Sequence, residues 1–260
     1  MYDYLKLQFV RYRTLRAYRS GDWKKIPIKE NGQSLALVPE EISFSYYSIT
    51  MKLLDSEKIY LRQEVIENVF KARKYLQRRG FDLRVYDGWR SIELQENLFW
   101  YYMCAFTAKQ FRKYDELKQF DSFDEIKSRF SLFSPELQTA MIEANRTYVS
   151  FPSRNLFCPS PHSTGGAVDI WLFKDGEAVN LGIPFDWMEK NAGAFYHLKI
   201  RRERFPGNDQ RICQNRKLLL LAMIKAGFSC YGPEIWHFNY GNQMDALVRG
   251  GCASYSYIEP

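Results

Sequence analysis

Only three of the 260 residues are histidine, and two of them stand in segments equipped for metal chemistry. His162 lies in Ser160-Pro161-His162-Ser163-Thr164-Gly165-Gly166-Ala167-Val168-Asp169, and His237 lies in Glu234-Ile235-Trp236-His237. Two neutral imidazoles and one carboxylate, from His162, Asp169 and His237, make a three-ligand set for one Zn2+ per chain and leave a fourth position to water or substrate. Glu234, three residues before the second imidazole, is the candidate proton carrier. Such a set is the equipment of a hydrolase. Taken singly, each segment also has a structural reading: His162 and Asp169 as a satisfied polar pair, Glu234 as an edge-strand carboxylate beside an aromatic-flanked core histidine.

Local elements must bring these groups together. Gly165-Gly166 permits a tight turn, after which residues 167–173 read as a buried strand that returns Asp169 toward His162. Side chains alternate along a strand, so a strand regular from Glu234 would send Glu234 and His237 to opposite faces. The Gly232-Pro233 pair instead suggests that Glu234 sits at the bend where the strand begins and leans over beside His237. Upstream, apolar Leu61, Val65, Val69, Ala72 and Leu76 recur at helical spacing over 61–79, with Gly80 as terminator. Residues 81–86 then alternate like a half-buried strand. That strand ends at Asp87-Gly88-Trp89-Arg90, which places Arg90 at a strand-to-helix turn where function often sits. Further helices are expected over 93–111, over 123–145 with a break at Ser134-Pro135, and over 214–226 before Gly227. The first fifty-odd residues mix basic and aromatic types and break at Pro27, Asn31-Gly32 and Pro39. They read as an extension, residues 1–55, on a single domain spanning 1–260.

Composition narrows the classes. Hydrophobic residues make up 46% and aromatics 17%, enough to bury a core and too much for a disordered chain. Lys and Arg outnumber Asp and Glu 37 to 30, for a net charge of +7. The basic residues are dispersed, and their densest run, 199–204, contains Glu203. It reads as a solvated face, with no nucleic-acid partner expected. The longest apolar run, 218–224, is too short to cross a membrane, and no secretory signal is visible. Five cysteines, an odd number without CxxC spacing, argue against a disulfide framework and a thiolate zinc knuckle. A cytoplasmic protein is expected, with homo-oligomerisation left open.

In combination, Asp-Gly-aromatic-Arg at 87–90, Ser-x-His-x-x-Gly-x-Ala-x-Asp at 160–169 and Glu-x-Trp-His at 234–237 resemble the D-alanyl-D-alanine dipeptidases. The likeness extends to Val179-Asn180-Leu181-Gly182-Ile183-Pro184-Phe185-Asp186-Trp187-Met188 and to Gln214-Asn215-Arg216-Lys217-Leu218-Leu219-Leu220, in the family's order. The resemblance implies zinc held by His162, Asp169 and His237, with Glu234 as general base and then acid. It implies that Arg90 stabilises the tetrahedral oxyanion, and that Ser160 and Asp186 contact substrate, Asp186 facing the ammonium group of a small D,D-dipeptide. The implied fold is α+β, with a small, mostly antiparallel sheet packed with helices and carrying the zinc site. Two features depart from the family: Ser91 stands where it tends to have proline, and 97–147 is longer than expected between the motifs. That stretch is expected to be a helical insertion. His197 is not assigned to the metal. The competing readings are a zinc DD-carboxypeptidase acting on peptidoglycan stem peptides and a non-catalytic zinc-bearing domain that binds cell-wall peptides or a protein.

Overall fold

Strand β4 (Ala167–Lys174) is buried on both faces for most of its length, as its run of apolar residues demands. Around it a computed structural model builds a five-stranded antiparallel sheet. The described residues are 2–118, 122–146, 148–198 and 207–260; the basic run 199–204 lies outside them. In chain order the strands are β1 (Leu35–Leu37), β2 (Tyr60–Arg62), β3 (Asp82–Asp87), β4, β5 (Glu177–Ala178), β6 (Ser229–Cys230) and β7 (His237–Asn239). The main sheet runs β3-β4-β7-β6 with β5 added to β4, while β1 and β2 form a separate antiparallel pair. Helices and antiparallel strands together give the expected α+β fold.

On one face of the sheet Leu83, Val85, Val168, Ile170, Leu172 and Phe238 are fully buried. The Gln63–Gln77 and Gly207–Lys225 helices contact this sheet and each other. The first buries Val65, Ile66, Val69, Ala72 and Leu76, the stripe its spacing predicts, and Gly80 ends it with a left-handed backbone at φ 73°. The second begins well before the expected residue 214, because its polar first turns carry no apolar stripe to announce it.

Register puts chemistry on the other face. Asp169 pairs with His237 of β7 and with Asp87 of β3. A β-bulge between Val85 and Asp87 carries Asp87 onto the Asp169 face, so three polar side chains stand in one row across three strands. Farther along the same face, Tyr86 stacks on Trp171 at 6.0 Å, and Phe185 closes on both rings at 5.0 and 5.9 Å.

The chain divides into two compact units, residues 1–89 with 155–260, and Arg90–Arg154. The second is helical. Ser91 accepts a hydrogen bond from the Leu94 amide and caps the Ile92–Tyr102 helix, a side-chain cap that proline could not make. A π turn follows at Met103–Thr107, then the Phe123–Phe130 helix behind a Ser122/Glu125 capping box, and the Pro135–Asn145 helix behind Ser134. Buried Asn145 joins two helices by accepting from Thr107 Oγ1 and donating to the Phe99 carbonyl, both at 2.8 Å.

Arg62 fastens distant segments of the first unit. Its fully buried guanidinium donates to Glu30, to the Gln33 carbonyl, to the Thr164 carbonyl at 2.8 Å and to the Ser256 carbonyl at 3.2 Å, and it lies over the Tyr255 ring. Removing such a buried cation strands several acceptors at once. Arg62→Met should therefore cost roughly 3–5 kcal/mol, read as a lower denaturant midpoint at unchanged slope. A loss below about 1 kcal/mol would make it no more than a surface ion pair.

Candidate metal centre

His162 enters from a 3-10 turn, His162–Thr164, that Gly165 closes at φ 69°. A Cβ at Gly166 would stand 2.5 Å from the Tyr240 carbonyl oxygen, so the turn has to be glycine to reach β4. Ser160 shapes the same turn: its carbonyl accepts from Ser163 Oγ at 2.9 Å and its hydroxyl from the Ser163 amide at 3.4 Å. The C-terminal segment ties both sides of this seat, since the Ile258 amide donates to the Ser163 carbonyl and Trp89 Nε1 donates to the Ile258 carbonyl.

Three ligand atoms converge. His237 Nδ1 is 3.0 Å from Asp169 Oδ1, His162 Nε2 is 3.2 Å from His237 Nδ1, and His162 Nε2 is 3.6 Å from Asp169 Oδ1. All three residues are buried. Tetrahedral zinc with ligands at 2.0–2.1 Å requires ligand-to-ligand edges of about 3.3 Å, and these three edges bracket that value.

Hydrogen bonding on the far side of each ring sets which nitrogen bears the proton. His162 Nδ1 lies 2.7 Å from the Gly88 carbonyl, which can only accept, and 3.4 Å from Asp87 Oδ2. Nδ1 therefore carries the hydrogen and Nε2 presents its lone pair inward. His237 Nε2 lies 3.2 Å from Asn239 Oδ1, which leaves Nδ1 as the inward lone pair. Two imidazole lone pairs and a carboxylate oxygen pressed together away from water repel one another unless a cation lies among them. The donor set thus fits a divalent metal, with Asp87 and the Gly88 carbonyl supporting one ligand and Asn239 the other.

Glu234 joins the cluster, with Oε2 3.8 Å from His237 Nδ1. It stands in the turn ahead of β7, which starts at His237, so strand alternation does not send it to the opposite face. Two neighbours fix that turn: the Ile235 amide donates to the Ala192 carbonyl at 2.9 Å, and the Ala194 amide to the Gly232 carbonyl at 3.0 Å. Tyr231 lies beside the His237 ring at 5.3 Å. Burial first, then the nearby Glu234, pushes its hydroxyl well above the ordinary tyrosine range, so it stays a neutral donor.

Ser160, Asp186 and Arg90 stand outside the three-ligand group. Asp186 is half-buried with a left-handed backbone, φ 64°, in the loop whose Phe185 packs 5.4 Å from Trp236. Buried Arg216 holds both ends of that loop, donating to the Leu181 carbonyl at 2.6 Å and the Gly193 carbonyl at 3.3 Å. Burial lowers its guanidinium to about 10, still charged at neutral pH. Arg90 is the first residue of the helical unit. His197 sits in the Tyr196–Leu198 turn against Tyr196 and is not a member of the cluster. Sequence reasoning did not identify Asp87, Asn239 or Arg216 as supports; for Asp87 a signal existed, since it heads the Asp-Gly-Trp-Arg motif.

The chain is similar to several known peptidases. A family model described as D-ala-D-ala dipeptidase, of the M15 peptidases, matches residues 105–253. A D-alanyl-D-alanine dipeptidase of Synechocystis is 25% identical over 229 residues, 84% of this chain and 86% of that protein. Another, from Enterococcus faecium, is 25% identical over 177 residues, 67% of this chain and 70% of its own length. A solved LD-carboxypeptidase aligns with 86% of this chain and 76% of its own at 19% identity, with a TM-score of 0.35.

A cation that fits the three donors should stabilise the folded chain. At about 100 times its dissociation constant the gain is about 2.7 kcal/mol, seen as a rise in the unfolding midpoint on adding zinc to chelator-treated protein. Asp169→Ala should abolish the rise, and a rise of the same size in that variant would place the cation elsewhere.

Proposed function

Because the chain belongs to the D-alanyl-D-alanine dipeptidase family of M15 peptidases, we propose that it hydrolyses the free dipeptide D-Ala-D-Ala to two D-alanines with one zinc ion held by His162, Asp169 and His237. The observation that carries this reading is the convergence of Nε2, Oδ1 and Nδ1 at 3.0–3.6 Å with both ring tautomers directed inward. Zinc in that seat would supply Lewis acidity, polarising the scissile carbonyl and making a water nucleophilic near neutral pH.

The chain's own residues do the rest. Glu234, 3.8 Å from the ligand nitrogen of His237, takes the proton of the attacking water and passes it to the leaving amine. Arg90 brings a permanent charge and a planar donor fork to the oxygen on which negative charge develops; the support for this role is its place in the Asp-Gly-Trp-Arg motif. Asp186 receives the ammonium group of the dipeptide, on a loop clamped by Arg216, and Ser160 contacts substrate beside the His162 turn. A free amino terminus suits a carboxylate, whereas an acylated stem peptide would leave that charge without a counterpart. We read residues 1–260 as one catalytic domain, with 1–55 as an extension and 97–147 as a helical insertion. None of the described helices is long and apolar enough to cross a membrane. An odd number of cysteines without CxxC spacing suits a reducing, cytoplasmic compartment.

Zinc-loaded protein should release D-alanine from D-Ala-D-Ala but not from its N-acylated form, and a chelator should stop it. Cleavage of the acylated peptide alone would assign a carboxypeptidase, and cleavage of neither a binding domain. Glu234→Gln should retain zinc and lose about 10²–10⁴ in rate; zinc lost together with activity would make Glu234 a ligand rather than the base. Asp186→Ala should raise KM for the free dipeptide more than it lowers kcat, and unchanged dipeptide kinetics would remove Asp186 from the site.

A further inference from the structure

Asn239 is fully buried on β7, and its side chain is oriented at a cost. Its Oδ1 lies 3.2 Å from His237 Nε2 and accepts from Asn242 Nδ2 at 2.8 Å, while its own Nδ2 is buried without a hydrogen-bond partner among the described residues. Turning the amide over would offer Nδ2 a new environment, but it would set Nδ2 against the Nδ2 of Asn242. Asn242 cannot turn in response. Its Oδ1 accepts from the Asp245 amide at 3.0 Å as the N-cap of the Gln243–Arg249 helix, so its Nδ2 must face Asn239.

From this chain of donors and acceptors we infer that Asn242 and Asn239 are positioning residues that lock the tautomer of His237. The helix start fixes Asn242, Asn242 fixes the acceptor face of Asn239, and Asn239 holds hydrogen on His237 Nε2. Acceptors face both ring nitrogens, Asn239 Oδ1 at 3.2 Å and Asp169 Oδ1 at 3.0 Å, and the fixed Asn239 tips the hydrogen to Nε2, which leaves Nδ1 to a cation shared with Asp169 and His162. The unpartnered Nδ2 of Asn239 is the stability given up for this direction. Register assists: Asn239 lies two residues from His237 on β7, so both side chains leave the same face of the sheet. The inference rests on the metal reading proposed above, but the tautomer can be observed without metal or substrate.

The two roles of Asn242 separate by substitution. Asn242→Asp keeps an oxygen for the Asp245 amide, and aspartate is a good N-cap, yet it removes the donor that orients Asn239. Long-range 1H–15N correlation spectra of metal-free protein, simple with three histidines, should show His237 as the Nε2–H form in the parent and as Nδ1–H or a mixture in Asn242→Asp. Zinc affinity, by competition with a chelator, should fall about 10–100-fold while the thermal midpoint of the metal-free variant stays near the parent's. At Asn239, leucine should reproduce the loss, and aspartate, which still accepts from Nε2–H, should retain the tautomer and the affinity. Parent His237 protonated at Nδ1, an unmoved tautomer in both Asn242→Asp and Asn239→Leu, or equal losses in Asn239→Leu and Asn239→Asp would overturn the lock. A parent that shows the expected tautomers and their shift but takes up no zinc would uphold the lock and overturn the proposed function.

Discussion

Two imidazole nitrogens and a carboxylate oxygen are held within 3.6 Å of one another in a buried place. Two imidazoles and a carboxylate are here held together by the groups behind them. The Gly88 carbonyl and Asp87 hold one ring from behind, Asn239 holds the other, and Asp169 sits on the strand with neighbours on both sides. The sheet ladder fixes where the backbones of Asp169 and His237 stand, opposite one another in register. The interior is in effect prepared for positive charge.

That preparation explains features far from the cluster. Strand β4 must be central, because Asp169 needs a ladder on each side to keep its direction. The bulge in β3 exists where Asp87 would otherwise face the apolar layer. Arg62, at the start of a helix, reaches the Thr164 carbonyl in the turn that carries His162, so the N-terminal segment and the metal turn share one buried cation.

Much of this was legible in the sequence where chemistry and local structure coincide. His162, Asp169, Glu234 and His237 could be picked out because histidine is rare here and glycines mark the turns. The Gln63–Gln77 helix, β3 and β4 follow from spacing alone. Asn239 and Arg216 could not be found that way, since the contacts that give them their parts, from Asn242 and to the Leu181 and Gly193 carbonyls, leave no local signature. The exact start of β7 was equally hidden. Whether Glu234 alternates with His237 or shares its side depends on Ala192 and Ala194 holding the preceding turn, a tertiary contact with no local signature.

The spacing of the ligands along the chain also orders the assembly. His162 and Asp169 are seven residues apart across one glycine turn, so they can meet within a short loop whose closure is fast. His237 must arrive from far downstream, after the Gly207–Lys225 helix has packed and β7 has found β4, and such non-local pairing is slow. A chain on its way to the native state therefore offers an ion two ligands at most, a weak grip easily released. The three donors come together only once β7 has joined β4, so the seat they form belongs to the finished sheet and to no shorter piece of the chain.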